Sequence, residues 1–280
     1  MKHDRMQRQR FEQKYLITED KALRMRDFVR SYLELDPAGA GRPEGSYAVH
    51  SIYLDSDRLD TYWWTINGDR TRFKLRLRFY DNRPEQPVFF EVKRRVDRVI
   101  FKRRAAMRKE HAAAILAGQP AAATWFARPD PRAPENLDYF LTLARRIEAH
   151  PKVHVGYFRE AYVDPRNDAV RVTFDRRVGA CVAPWLRFST EMKHPVFPFG
   201  RLVICEIKFT NRFPNWFRDL VEAFDLMQSG AAKYCMGVAM IGEQRLGHRL
   251  TRFATEGIDP DTLLRLTEED CPEAAGRAVA

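Results

Sequence analysis

Apolar and polar positions alternate along much of the chain with the two-residue period of strands, broken by a few segments of helical period. In TRFKLRLRFYD, Thr71 to Asp81, the cations Arg72, Lys74, Arg76 and Arg78 fall on one face and Phe73, Leu75, Leu77 and Phe79 on the other. RFEQKYLI, Arg10 to Ile17, reads as a first strand. Further strands are predicted at Ala48 to Asp55, Arg70 to Tyr80, Val88 to Arg95 and Val99 to Ala105, then at Lys152 to Val163, Ala169 to Val178 and Leu202 to Thr210. DNRPEQP suggests a hairpin turn, and DPRND joins a later strand pair. Thr18 before EDKALRMRDFVRSYLEL reads as the cap of a helix whose apolar side carries Leu23, Phe28, Val29, Tyr32 and Leu33. His111 to Ala117, Leu137 to Ala149 and Phe213 to Met227 are the other predicted helices, and DPAGAGRPEG and Pro129 to Pro134 are loops.

Composition narrows the class. A chain of 280 residues that is 45% hydrophobic can bury a sizeable core. With no composition shift, residues 1–256 read as one domain and 257–280, poor in large apolar groups, as a C-terminal tail. The net charge is +10, and Arg70 to Lys109 alone holds 15 Lys and Arg against 4 Asp and Glu. That density favours a polyanionic partner: nucleic acid, an anionic membrane surface or a phosphate-rich small molecule. Cys181, Cys205, Cys235 and Cys271 form no CxxC pair, so neither a zinc site nor a disulfide framework is expected. MKHDRMQRQRFEQK lacks a signal-peptide core, and no run of about 18 apolar residues occurs, so the expected location is cytoplasmic, with membrane contact only peripheral. GxxxxGK is absent, which excludes a P-loop. Nothing in the sequence fixes the oligomeric state.

Alternation by itself is explained by a sheet with one wet face. Repetition of one composition in separate strands asks for more. In FFEVKRR, Glu91, Lys93 and Arg95 share a face, and in VICEIKF Glu206 and Lys208 do. Glu12 and Lys14, then Tyr157 and Arg159, then Arg171, Thr173 and Asp175 follow the same parity rule. If these strands bend into a closed barrel with helices outside, the charged face lines the interior. Unpaired cations there cost several kcal/mol each unless an anion compensates them. A linear polyphosphate supplies that charge. Glu91 and Glu206 then either pair with neighbouring Lys and Arg or hold a divalent cation that bridges to phosphate oxygens.

RFEQKY, SIYLD, KLRLRFYD, FFEVKRR, IFKRR, YFREAY, RVTFD, CEIKF and AAKYCMG, in this order from about Arg8 to Gly242, resemble the VTC polyphosphate polymerase domain of the triphosphate tunnel metalloenzyme superfamily. The resemblance implies an α+β fold: a closed antiparallel eight-stranded tunnel barrel with flanking helices. It implies transfer of the γ-phosphate of ATP to a growing inorganic polyphosphate chain, with Mn2+ or Mg2+. Carried over by position, Arg76, Arg78, Lys93, Arg159 and Arg171 become catalytic phosphate ligands. Lys14, Lys102, Arg104, Lys208 and Lys233 become further phosphate ligands, Lys233 near the family's C-terminal strand, and Glu206 the metal ligand. Two departures stand out. Arg10, Glu12 and Lys14 replace the superfamily's Glu-x-Glu-x-Lys, which argues against its hydrolase and cyclase branches. Gly230, Ala231 and Ala232 precede Lys233 where the family often has a basic residue and a Ser.

Two other readings remain open. A triphosphatase would use water in the same tunnel and would need a positioned base, which the sequence does not identify. A non-enzymatic binding module would present an open basic face; nucleic acid is not expected, because Phe73 and Phe79 lie opposite the cations rather than among them. His150 and His154 read as structural or surface residues. Trp63 and Trp64 read as packing residues, with stacking on adenine the alternative.

Overall fold

The structure is a computed structural model that describes residues 10–247 except 98, 167–168 and 211–212. The expected tail 257–280, with Cys271, lies outside the described residues, as does the side chain of Arg10. Nine strands form one sheet: β1 (Arg10–Ile17), β2 (Glu34–Leu35), β3 (Ser46–Asp55), β4 (Thr71–Phe79), β5 (Val88–Val96), β6 (Val99–Met107), β7 (His150–Val163), β8 (Val170–Val182) and β9 (Val203–Thr210). The order is β1-β9-β8-β7-β3-β4-β5-β6, all antiparallel, with β2 pairing on β7.

This overturns the expected closed eight-stranded barrel. Among the described residues no ladder of hydrogen bonds joins β1 to β6, so the sheet is open and has nine strands. Lys102, Arg103 and Arg104 crowd the β6 edge, and a row of cations discourages another strand from pairing there. The sheet nevertheless curls. The Lys93 ammonium on β5 reaches Glu12 on β1 at 3.0 Å, although five strands lie between them in the ladder order. Two side chains on the same face of such distant strands can meet only if that face is concave.

Among the described residues six helices flank the sheet: α1 (Glu19–Val29), α2 (Asp60–Ile66), α3 (Ala112–Leu116), α4 (Ala133–Arg146), α5 (Asn215–Ala223) and α6 (Lys233–Ile241). The Thr18 hydroxyl accepts from the Lys21 amide, capping α1 as the sequence predicts. Its buried stripe is Ala22, Met25 and Val29, while Leu23 and Tyr32, expected on the apolar side, are exposed. α1 and α5 cover the convex face, with Met25, Phe217 and Leu220 packed among Ile17, Phe174, Cys205 and Ile207. α4 covers β4 to β6, where Phe140 meets Phe90 edge-on at 5.1 Å. Each such buried side chain contributes about 1.5–3 kcal/mol.

α6 differs, because it packs on the concave side. Val238 and Cys235 lie among Val153, Val178, Ala180 and Ile204, and Gly237 allows the close approach, since a Cβ there would sit 2.8 Å from Cβ of Ala180. The sequence places Lys233 near a strand; it instead opens this helix, which closes one end of the curl. α5 is shorter than the helix predicted from Phe213 to Met227.

Candidate functional site

Ladder register fixes which side chains share the concave face. Lys14 stands opposite Glu206, Arg171 opposite Lys208, Thr173 opposite Glu206, and Arg159 opposite Asp175. Across the sheet, Tyr53 stands opposite Arg76, Arg76 opposite Glu91, Lys74 opposite Lys93, and Glu91 opposite Arg104. One parity therefore collects Lys14, Arg72, Lys74, Arg76, Arg78, Lys93, Arg95, Lys102, Arg104, Arg159, Arg171 and Lys208, to which α6 adds Lys233. Among the described residues these cations far outnumber the carboxylates set among them, Glu12, Glu91, Asp175 and Glu206, so the face is strongly positive.

The carboxylates form two hubs. Glu206 holds Lys208 at 2.5 Å, Lys233 at 2.9 Å, Arg159 at 3.2 Å and Lys14 at 3.7 Å. Asp175, fully buried beside it, takes a bidentate pair of bonds from Arg159 at 2.6 and 2.7 Å and a third from Lys233 at 2.6 Å. The second hub is Glu91, with Arg76 and Lys102 each at 2.7 Å and Arg78 and Arg104 each at 3.9 Å. Glu12 links Lys93 at 3.0 Å and Lys14 at 3.3 Å. Arg171 turns to Asp36 at 2.7 Å and to the Tyr47 hydroxyl at 3.1 Å, so it stands apart from both hubs. Lys74 points toward α6, donating to the Cys235 sulfur at 3.1 Å.

Burial raises the Glu206 carboxyl, but Lys208, Lys233, Lys14 and Arg159 outweigh it and hold it well below the carboxylate range. Asp175 is lowered on the same balance by Arg159 and Lys233, and Glu91 by Arg76, Arg78 and Lys102. Burial lowers Lys233, yet Asp175 and Glu206 more than reverse this and raise it. Lys93 and Lys208 are lowered, because burial is only partly offset by their carboxylate partners. Lys102 is pushed down to about 7 by burial, with Arg76 and Arg78 adding to the fall and Glu91 opposing it. Its side chain is nonetheless 43% exposed, as a group enclosed by protein inside a wet curl should be.

A metal ion would not be held by protein alone: among the described residues no group of three or more His, Cys, Asp or Glu is placed to bind one. Both Glu206 oxygens already touch ammonium groups. Beside Glu206, however, the buried Thr173 hydroxyl has no hydrogen-bond partner. One carboxylate and a hydroxyl are hard oxygen donors, and Mg2+ is commonly held by one or two carboxylates together with substrate phosphates. The donor set fits Mg2+ or Mn2+ bound along with a phosphate.

A VTC domain sequence model matches residues 9–241. The chain belongs to the VTC domain family. This family is associated with polyphosphate polymerase function, and membership marks the chain as a phosphotransferase in general. No curated protein matches this VTC domain. Among solved structures, the PH1819 protein from Pyrococcus horikoshii OT3 shares 12% identity at a TM-score of 0.42, covering 82% of this chain and 98% of its own. That likeness is too loose to carry an argument. In this VTC domain no helix of the described residues is long and apolar enough to cross a membrane.

The sequence-derived cations thus fall on one face. What sequence reasoning missed is the second carboxylate of the larger hub, Asp175, noted on the charged parity but given no role. It also missed the tyrosines: Tyr53 and Tyr157 accept hydrogen bonds from Arg76 at 3.2 Å and Arg78 at 3.3 Å. Strand parity was the available signal for both. His154 is buried and structural, as expected, with His50 as its partner at 2.9 Å. Trp64 packs edge-on against Phe73, so the packing reading of that residue stands.

Proposed function

We propose that this VTC domain is a polyphosphate polymerase that transfers the γ-phosphate of ATP to the end of an inorganic polyphosphate chain bound along the concave face. The large excess of cations over carboxylates on that face carries the reading, because a multiply charged anion compensates it. Phosphoryl transfer asks a protein mainly for in-line positioning and charge neutralisation. Arg76 and Arg78 with Lys102 around Glu91, and Arg159, Lys208 and Lys233 around Glu206, provide two anchoring groups for successive phosphates. Each carboxylate keeps its cations oriented until phosphate oxygens share them. The nucleophile, a terminal phosphate, is already ionised, so no general base is needed. Glu206 is the residue that would hold Mg2+ or Mn2+; such an ion neutralises charge developing on the transferring phosphoryl group.

Purified protein incubated with ATP and Mn2+, followed by gel analysis of the products, tests this. Long polyphosphate is the expected product. Release of only inorganic phosphate, from ATP or from tripolyphosphate, would overturn the polymerase reading in favour of a triphosphatase.

A further inference from the structure

We infer that the end of the charged face remote from α6 carries a nucleobase cradle built from Tyr80, Gln86, Phe89, Arg104 and Arg128, which selects a nucleoside triphosphate over bare polyphosphate. The inference rests on the ATP reading above and deepens it. Phe89 has the parity of Glu91 and Lys93 and stands opposite Arg78, so its ring continues the phosphate-facing row. The Arg104 guanidinium lies over that ring at 4.3 Å, Arg128 approaches it at 5.9 Å, and Tyr80 meets it edge-on at 6.0 Å. These groups, with Gln86 and Pro87, surround a cavity of about 180 Å³. Pockets for drug-sized ligands run to roughly 300–1,000 Å³, so this one suits a single ring system rather than a whole nucleotide.

Chemistry and position agree with a base. A planar guanidinium already stacked on one aromatic ring offers its other face to a second flat π-system. The Gln86 amide carries both donors and an acceptor, as the edge of a base requires. Arg104 also lies 3.9 Å from Glu91, so one side chain joins the cradle to the phosphate-binding hub and sets a base beside the first phosphate. An ordinary structural role explains Arg104 but not Arg128. The latter is exposed, comes from the loop before α4, and makes no ion pair among the described residues.

Arg128→Ala, Arg128→Lys and Gln86→Ala should be titrated by calorimetry with ATP and, separately, with inorganic tripolyphosphate. Arg128→Ala is expected to weaken ATP about 5-fold or more, since stacking contributes about 1–3 kcal/mol per base, and to leave tripolyphosphate unchanged. Arg128→Lys keeps the charge but not the plane, and should behave like Arg128→Ala. The cradle is refuted if both ligands weaken together, if neither changes, or if Lys restores ATP binding in full. A wild-type protein that binds neither ligand would instead refute the phosphate-binding reading beneath it.

Discussion

Replacing Lys233 with Met would remove the ammonium that touches both Asp175 and Glu206. Its distances to them are 2.6 and 2.9 Å. At an effective dielectric of about 20, each attraction is worth about 6 kcal/mol. Desolvation of the ions offsets several kcal/mol apiece, and removing one member of a buried pair typically costs about 3–5 kcal/mol net. For a chain of this size that lowers Tm by roughly 6–20 °C. Urea unfolding at pH 7, followed by tryptophan fluorescence, measures the loss directly. Adding Asp175→Asn to the Lys233→Met variant should recover part of it by removing the carboxylate left uncompensated. The pH dependence has a definite sign. Asp175 and Glu206 are depressed below their unfolded values of 3.8 and 4.5, so the stability they contribute is present above those values and lost as pH falls. The deficit of the variant should therefore shrink below about pH 4. A loss under about 1 kcal/mol at pH 7, or a deficit undiminished in acid, would refute a desolvated hub and imply that water screens these charges.

Three further outcomes are expected. Glu206→Gln should abolish polyphosphate synthesis while tripolyphosphate binding, measured by calorimetry, stays within a few-fold of wild type; unchanged turnover would remove Glu206 from the metal role. Lys102, titrating at about 7, should take up a proton when a polyanion arrives. Tripolyphosphate affinity should then fall as pH rises through 7, and calorimetry in buffers of different ionisation enthalpy should show proton uptake that Lys102→Met abolishes. His50 and His154, both pushed down to about 4 mainly by burial, stay neutral in the fold but charge below about 6.5 when unfolded. Stability should fall between pH 6.5 and 4, by about 3 kcal/mol per histidine at most, and His154→Leu should flatten that part of the profile in urea titrations.

The charged face was legible because strand parity is a local property. Once KLRLRFYD, FFEVKRR and CEIKF read as strands, the two-residue period puts their cations and glutamates on one side whatever the fold does next. α6 was not legible. KYCMGVAMI is apolar nearly all round, a composition that fits a buried strand as well as a buried helix. Closure was misread for a related reason. Alternation says which face is polar but not whether the last strand finds the first, and here β1 meets the next-to-last strand, β5, through the Glu12 and Lys93 side chains rather than through backbone hydrogen bonds.

By itself the sequence determined eight of the nine described strands, all but the short β2, the charge of one face and the family to which the chain belongs, because each depends on residue order over short spans. Only the tertiary structure decided which carboxylate answers which cation. Asp175 and Glu206 share Arg159 and Lys233, and Glu91 gathers β4 and β6, because ladder register and the curl of the sheet bring together residues far apart in the chain. Ion pairing acts over a few ångströms and is indifferent to sequence distance, so no local pattern encodes it.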